Sequence, residues 1–238
     1  MYDLNIFICT YNEEKNIQDC IKCIKQNGYE NVFVADSSEN ELTKNKAEEV
    51  GAKVIKAPKG LSEQRQVCID YCKSEYLMFV DADDRLDKNC IDILLKEMQF
   101  NKYDAIQSSI MVFNPTTYWE YAHSYNNIYC LNRVGKTKMV GRPAIYKTNI
   151  LKKVGMDIDF NGIGNEDSSL SIRMCHFNAK QGIGSGISYR IFPKSFKANF
   201  LQWKKYGLGD AMLIKKHKKK LLSIIGHLLV TYPIIRSY

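Results

Sequence analysis

Short apolar runs alternate with helical stripes through the first hundred residues. Leu4–Cys9 reads as a strand, and Ile17, Cys20, Ile21 and Ile24 then fall on one helical face. Residues 31–35 and 53–56 read as the second and third strands, separated by a polar helix over roughly 40–50. A helix over 61–73 leads to the most apolar strand, 75–80, and Ile91, Leu94, Leu95 and Met98 mark the helix after it. Strand–helix alternation at this spacing predicts βαβ units, hence an α/β chain with a parallel sheet. Ligands of such sheets bind beyond the carboxyl ends of the strands.

The pattern changes after residue 104. Residues 105–113 and 144–146 read as strands on either side of an aromatic-rich stretch, 118–129, which suits either sugar stacking or tyrosine-rich packing. A helix opens at Asp167 with Leu170, Met174 and Phe177 on one face, and 187–192 reads as a last strand. The glycines of 182–186 read as a turn and not a P-loop, since no Gly-Lys-Ser/Thr follows. Residues 195–220 read as a helix broken near Gly207–Gly209. With no repeat or low-complexity linker, the two halves are expected to pack as one domain.

Composition narrows the classes. Of 238 residues, 45% are hydrophobic and 25% charged, the mix of an ordinary globular protein. The net charge of +8 sits at one end: residues 194–238 carry 10 basic and one acidic side chain, leaving 24 basic and 25 acidic before them. A body so nearly neutral disfavours nucleic acid, which needs a basic face. The first residues lack the charged-then-apolar run of a secretory signal. Eight cysteines with neither an export signal nor paired zinc-ligand spacing point to a reducing compartment, the cytosol.

Candidate chemistry gathers where the strands end. The fourth strand runs into Asp81-Ala82-Asp83-Asp84, where three carboxylates repel one another unless a divalent cation and a polyphosphate relieve them. A plainer reading has Asp84 or Asp87 capping the next helix. The first strand runs into Thr10-Tyr11-Asn12-Glu13, the second into Asp36-Ser37-Ser38, and Arg65 lies on the helix before the fourth. Together ICTYNEEKNI (8–17), VADSSEN (34–40), the stretch Leu61–Leu86 and GNEDSSLSIRM (164–174) resemble the family-2 glycosyltransferases with the GT-A fold, over about residues 1–210.

The resemblance implies a Rossmann-like mixed sheet flanked by helices. Residues 1–113 would bind the nucleotide-sugar, 114–210 the acceptor, and 211–238 would form a basic, apolar helical tail. Asp36 would accept the N3–H of uracil, Thr10, Tyr11 and Glu13 would line the base and ribose pocket, and Arg65 would lie near the diphosphate. Asp81 would touch ribose or sugar, and Asp83 would ligate Mg²⁺ or Mn²⁺ bridging the phosphates. Asp167 would be the catalytic base of an inverting transfer from a UDP-sugar, with Glu166 orienting acceptor or donor. The plainer readings are a turn-forming Asp36, an exposed helix arginine at 65 and a helix-capping Asp167.

Two departures stand out. Gln202 to Gly207 replaces the Gln-x-x-Arg-Trp of better-known relatives without its arginine, leaving Lys204 or Lys205 to face the diphosphate or simply the solvent. Ile191 stands where many relatives carry a metal-ligating histidine. The expected acceptor is a glycan or polyprenyl-linked hydroxyl in bacterial cell-surface polysaccharide synthesis. Residues 215–238, too short an apolar run to span a bilayer, would either lie on the inner face of the membrane or pack on protein, including a second copy. The competing readings are a sugar-phosphate nucleotidyltransferase, disfavoured by the lack of a glycine-rich, arginine-containing first loop, and a catalytically silent nucleotide-binding module.

Overall fold

The computed structural model describes residues 2–217. Its first half is β1 (Leu4–Thr10), α1 (Ile17–Gln26), β2 (Val32–Asp36), α2 (Leu42–Glu49), β3 (Lys53–Lys56), α3 (Leu61–Tyr71) and β4 (Tyr76–Val80). Then come β5 (Asp84–Leu86), α4 (Cys90–Phe100), β6 (Ala105–Val112) and α5 (Tyr118–Asn126). The chain continues with β7 (Gly135–Thr137), β8 (Ala144–Lys147), α6 (Thr148–Val154), α7 (Glu166–His176), β9 (Gln181–Arg190) and α8 (Phe196–Lys216).

One mixed sheet runs in the order β3-β2-β1-β4-β8-β6-β9-β5, with β7 also paired to β9. The first four strands are parallel, as their spacing predicts. β8 enters antiparallel to β4, and β6 antiparallel to β8. β1 therefore lies between β2 and β4 where the winding reverses, and this switch point opens a crevice at the carboxyl ends. Thr10 and Asp36 are register partners there.

Every residue of β2 and β4 is buried, because helices cover both faces of the sheet. Side chains alternate between two cores. Ile6 and Ile8 meet the stripes of α1 and α4 on one face. Phe7 meets Cys68 and Ile69 of α3 and Leu170 and Met174 of α7 on the other, with the Phe7 and Phe33 rings stacked at 5.1 Å.

Several expectations are corrected. Gly182–Gly186 is no turn but half of β9, whose glycines let α4 and Tyr103 close onto the strand. A Cβ on Gly186 would lie 2.7 Å from the Cys90 carbonyl oxygen, and one on Gly184 2.5 Å from Leu94. α8 runs unbroken through Gly207 and Gly209: Gly209 lets it cross close over Gly164, whose carbonyl oxygen a Cβ would approach to 2.9 Å. Phe177 terminates α7 and is exposed instead of facing the core. The tyrosines of 118–129 form α5 and a π-helical turn and point outward, so they are not core. Of the tail, only residues up to His217 are among those described; 218–238 lie outside them. Among the described residues, no helix is long and apolar enough to cross a membrane.

Candidate active site

The crevice has a less densely charged side, built by β1, β2 and α3. Buried Thr10 donates its hydroxyl to Asp36 Oδ1 at 2.8 Å, and Ser38 Oγ donates to the same oxygen at 2.6 Å. Buried Gln64 of α3 holds the strand ends together, its Nε2 donating to the carbonyl oxygens of Thr10 (2.8 Å) and Ala35 (3.0 Å). Asp36 is thus both a turn former and a fixed carboxylate at the mouth. Tyr11 sits just beyond, 38% exposed, with its hydroxyl donating to Glu39 at 2.8 Å, while Lys59 Nζ lies 4.4 Å from the ring centre. Glu13 serves the entry to α1, accepting from Asn16 Nδ2 at 3.0 Å.

The other side is densely charged. Arg65 is buried, 2% exposed, which excludes the reading as a surface helix arginine. It donates to Glu166 Oε1 at 2.9 Å and to Asp81 Oδ1 at 3.4 Å. Arg142 spans the same acids, with Nε 3.1 Å from Asp81 Oδ1 and Nη2 3.0 Å from Glu166 and 4.0 Å from Asp167. Arg190, at the end of β9, reaches Asp81 Oδ2 at 3.0 Å and grips both oxygens of Asp84 at 2.8 and 2.9 Å. Asp84 does not cap α4; it lies in β5, fully buried, and also accepts the Asp81 N–H at 3.0 Å. Nor does Asp87, since Asn89 is the residue before α4. Asn165 occupies that position before α7, so Glu166 and Asp167 form the first turn and gain from the helix dipole.

These surroundings sort the acids. Burial works against an ionised Asp81, but Arg142, Arg190 and Arg65 outweigh it and hold the group far below the usual carboxylate range. Glu166 is likewise pressed down to about 2, with Arg142 and Arg65 overcoming burial. Asp83 goes the other way, pushed up to about 7 by burial and then by Asp84 and Asp81, with Arg190 only partly opposing. Asp167 also rises, through burial and the neighbouring Glu166, against the pull of Arg142. Its side chain remains 28% exposed.

Asp81, Asp83 and Asp84 form the acidic group whose oxygens lie within 4.8 Å of one another. No histidine joins it among the described residues. Asp81 and Asp84 already have guanidinium partners, whereas Asp83 has no ion pair among the described residues. This donor set fits a hard divalent ion held by one protein carboxylate, with phosphate oxygens and water completing its shell. It does not fit a three-carboxylate cage. Ionised, the five acids face three guanidiniums, and the two remaining negative charges match one such ion.

The pattern of glycosyl transferase family 2 matches residues 5–178. The chain belongs to that family. Similar relatives are uncharacterized glycosyltransferases of Rickettsia bellii, 30% identical over 115 residues (47% of this chain, 39% of the relative), and Rickettsia felis, 30% over 118 residues (48% and 41%). The match thus spans about two fifths of those relatives. Among solved structures, S. aureus TarS in complex with UDP-GlcNAc superimposes with TM-score 0.62 at 16% identity, covering 84% of this chain and 61% of that one. GalNAc-T7 with UDP, GalNAc and Mn²⁺ gives 0.65 at 14% identity, covering 81% and 44%. The mixed α/β sheet is accordingly a GT-A fold. Arg190 and all of α8 lie beyond the span matched to the family, and Arg142 lies within it; neither arginine is legible from periodicity. Lys204 and Lys205 are exposed on α8, and Ile191 is 37% exposed.

Proposed function

We propose that the domain transfers a sugar from a UDP-sugar to a hydroxyl of a glycan or lipid-linked acceptor, with inversion, in cell-surface polysaccharide synthesis. The observation that carries this reading is the contrast within the charged network. Asp83 has no ion pair among the described residues on one side, Asp167 is held partly exposed on the other, and Asp81, Glu166 and Arg142 lie between them. The UDP and Mn²⁺ named with the structural neighbours support the choice of donor and ion.

Asp36, fixed by Thr10 and Ser38, accepts the uracil N3–H, and the Tyr11 ring covers the base. Arg65, Arg142 and Arg190 keep Asp81 and Glu166 ionised and immobile, so that the donor meets a preformed wall. Asp83 is the ligand for Mg²⁺ or Mn²⁺. When bound, that ion supplies Lewis-acid neutralisation of the departing diphosphate. Asp167 takes the acceptor's hydroxyl proton while the oxygen attacks the anomeric carbon and the bond to diphosphate breaks on the opposite face. Its raised proton affinity favours that transfer.

Incubation with a panel of nucleotide-sugars and Mn²⁺, followed by detection of released nucleotide, tests the reading without an acceptor. Slow hydrolysis confined to UDP-sugars is expected. Release of pyrophosphate from UTP and a sugar phosphate, or no turnover of any donor, contradicts it.

A further inference from the structure

α5 and the first half of α8 lie side by side and keep their aromatic side chains outside. Trp119 of α5 bridges them, its ring 5.7 Å from Phe196 and 6.0 Å from Trp203, and His123 Nε2 lies 2.7 Å from Asn199 Oδ1. Around that seam Tyr118, Tyr121 and Tyr125 of α5 and Phe196, Phe200 and Leu208 of α8 are each more than half exposed. Single exposed apolar residues are ordinary, but a contiguous field of them marks a binding surface.

The charge around it says what binds. Residues 194–216 hold six lysines and one acid, Asp210, which is already engaged by Asn165 Nδ2 at 2.7 Å. Lys197, Lys204 and Lys205 are exposed and, at 100° per residue, interleave with Phe200, Leu201 and Leu208 on the outward half of α8. Tyrosine and tryptophan offer an apolar body with a polar tip, and lysine stems cover apolar surface while the ammonium reaches outward. Two copies joined through this face would set lysine against lysine. Anionic headgroups above an apolar layer satisfy both features at once.

We propose that the α5–α8 face docks on an anionic lipid bilayer, with the rings at headgroup depth and the lysines on lipid phosphates. The docking is separate from the tail beyond residue 217 and does not depend on the transfer reaction. It has a geometric consequence for that reaction. The opposite side of α8, through Gly209, rests on Gly164 and Asn165, immediately before Glu166 and Asp167. A docked molecule would hold its candidate base beside the membrane surface, where a lipid-borne hydroxyl is presented.

Trp119 and Trp203 are the only two tryptophans of the chain and both lie on this face, so intrinsic fluorescence reports directly on it. The full chain is titrated with phosphatidylcholine vesicles lacking or containing phosphatidylglycerol. A blue shift that needs the anionic lipid, reverses at high salt and is quenched by brominated acyl chains is expected. Lys197→Gln/Lys204→Gln/Lys205→Gln should weaken vesicle binding about 100-fold at low salt, and Phe196→Ser/Phe200→Ser about 30-fold, with unchanged melting temperatures. Unchanged emission with anionic vesicles overturns the proposal, and this arm needs no variant. So does equal binding to neutral vesicles, binding abolished by removing 218–238 without any change in emission, or a lipid-free, concentration-dependent dimer that shifts the tryptophans.

Discussion

Asp83→Asn should make the metal-free protein more stable, not less, and the gain should grow with pH. Burial beside Asp81 and Asp84 raises the Asp83 carboxyl from 3.8 to about 7. The folded chain therefore binds this proton more tightly than the unfolded chain. The sign follows by linkage: the group favours folding at low pH, and that contribution is lost as pH rises from about 3.8 through about 7. At ~1.4 kcal/mol per pH unit the full displacement is ~4 kcal/mol, which solvent at the partly exposed side chain brings to ~2 kcal/mol. Asparagine keeps the shape and discards the charge. In a chain of this size the gain corresponds to a melting temperature about 5 °C higher near pH 8, and only about 2 °C near pH 5. Calorimetry in the presence of a chelator at both pH values measures it. Destabilisation near pH 8, or a gain independent of pH, would refute the reading of Asp83 as a buried carboxylate with no ion pair among the described residues.

Other outcomes follow from the same geometry. Asp167→Asn should leave the UDP-induced thermal shift intact while lowering transfer at least ~100-fold, as measured by nucleotide release with acceptor present. Arg190→Leu strands Asp84 and part of Asp81 in the interior and should cost about 3–5 kcal/mol in urea unfolding, whereas exposed Lys204→Ala should cost less than ~0.5 kcal/mol. Gly184→Val drives a branched side chain into Leu94 and Glu97 and should cost at least ~2 kcal/mol by the same assay. Asp36→Ala removes the acceptor that Thr10 and Ser38 fix and should weaken UDP binding about 10-fold by calorimetric titration.

The parallel half of the fold was legible because its signals are local. A run such as Tyr76–Val80 is buried on both faces and so reads as uninterrupted apolar sequence, and the amphipathic stripe of α1 names its own inward side. The candidate acids were legible for the same reason, since each follows directly on a strand or opens a helix. What escaped was non-local. Arg142 reaches Asp81 only because β8 inserts antiparallel beside β4, placing Ala144 opposite Phe79. Arg190 reaches Asp84 because three-residue β5 pairs with the end of β9, and so short a strand has no periodicity to read. Glycines misled wherever they serve packing: Gly184 and Gly209 suggest a turn and a helix break locally, while the partners they admit are tens of residues away.

In the proposed reaction Asp83 lends its charge to a divalent ion shared with the nucleotide's phosphates. Calorimetric titration of UDP into the wild-type chain and into Asp83→Ala, each with Mn²⁺ and with a chelator, addresses it most directly. At least ~10-fold tighter binding with Mn²⁺ is expected in the wild type, with no difference between the two conditions in the variant. Equal affinity in the wild type with and without the ion, or a metal effect that survives in Asp83→Ala, would contradict the account.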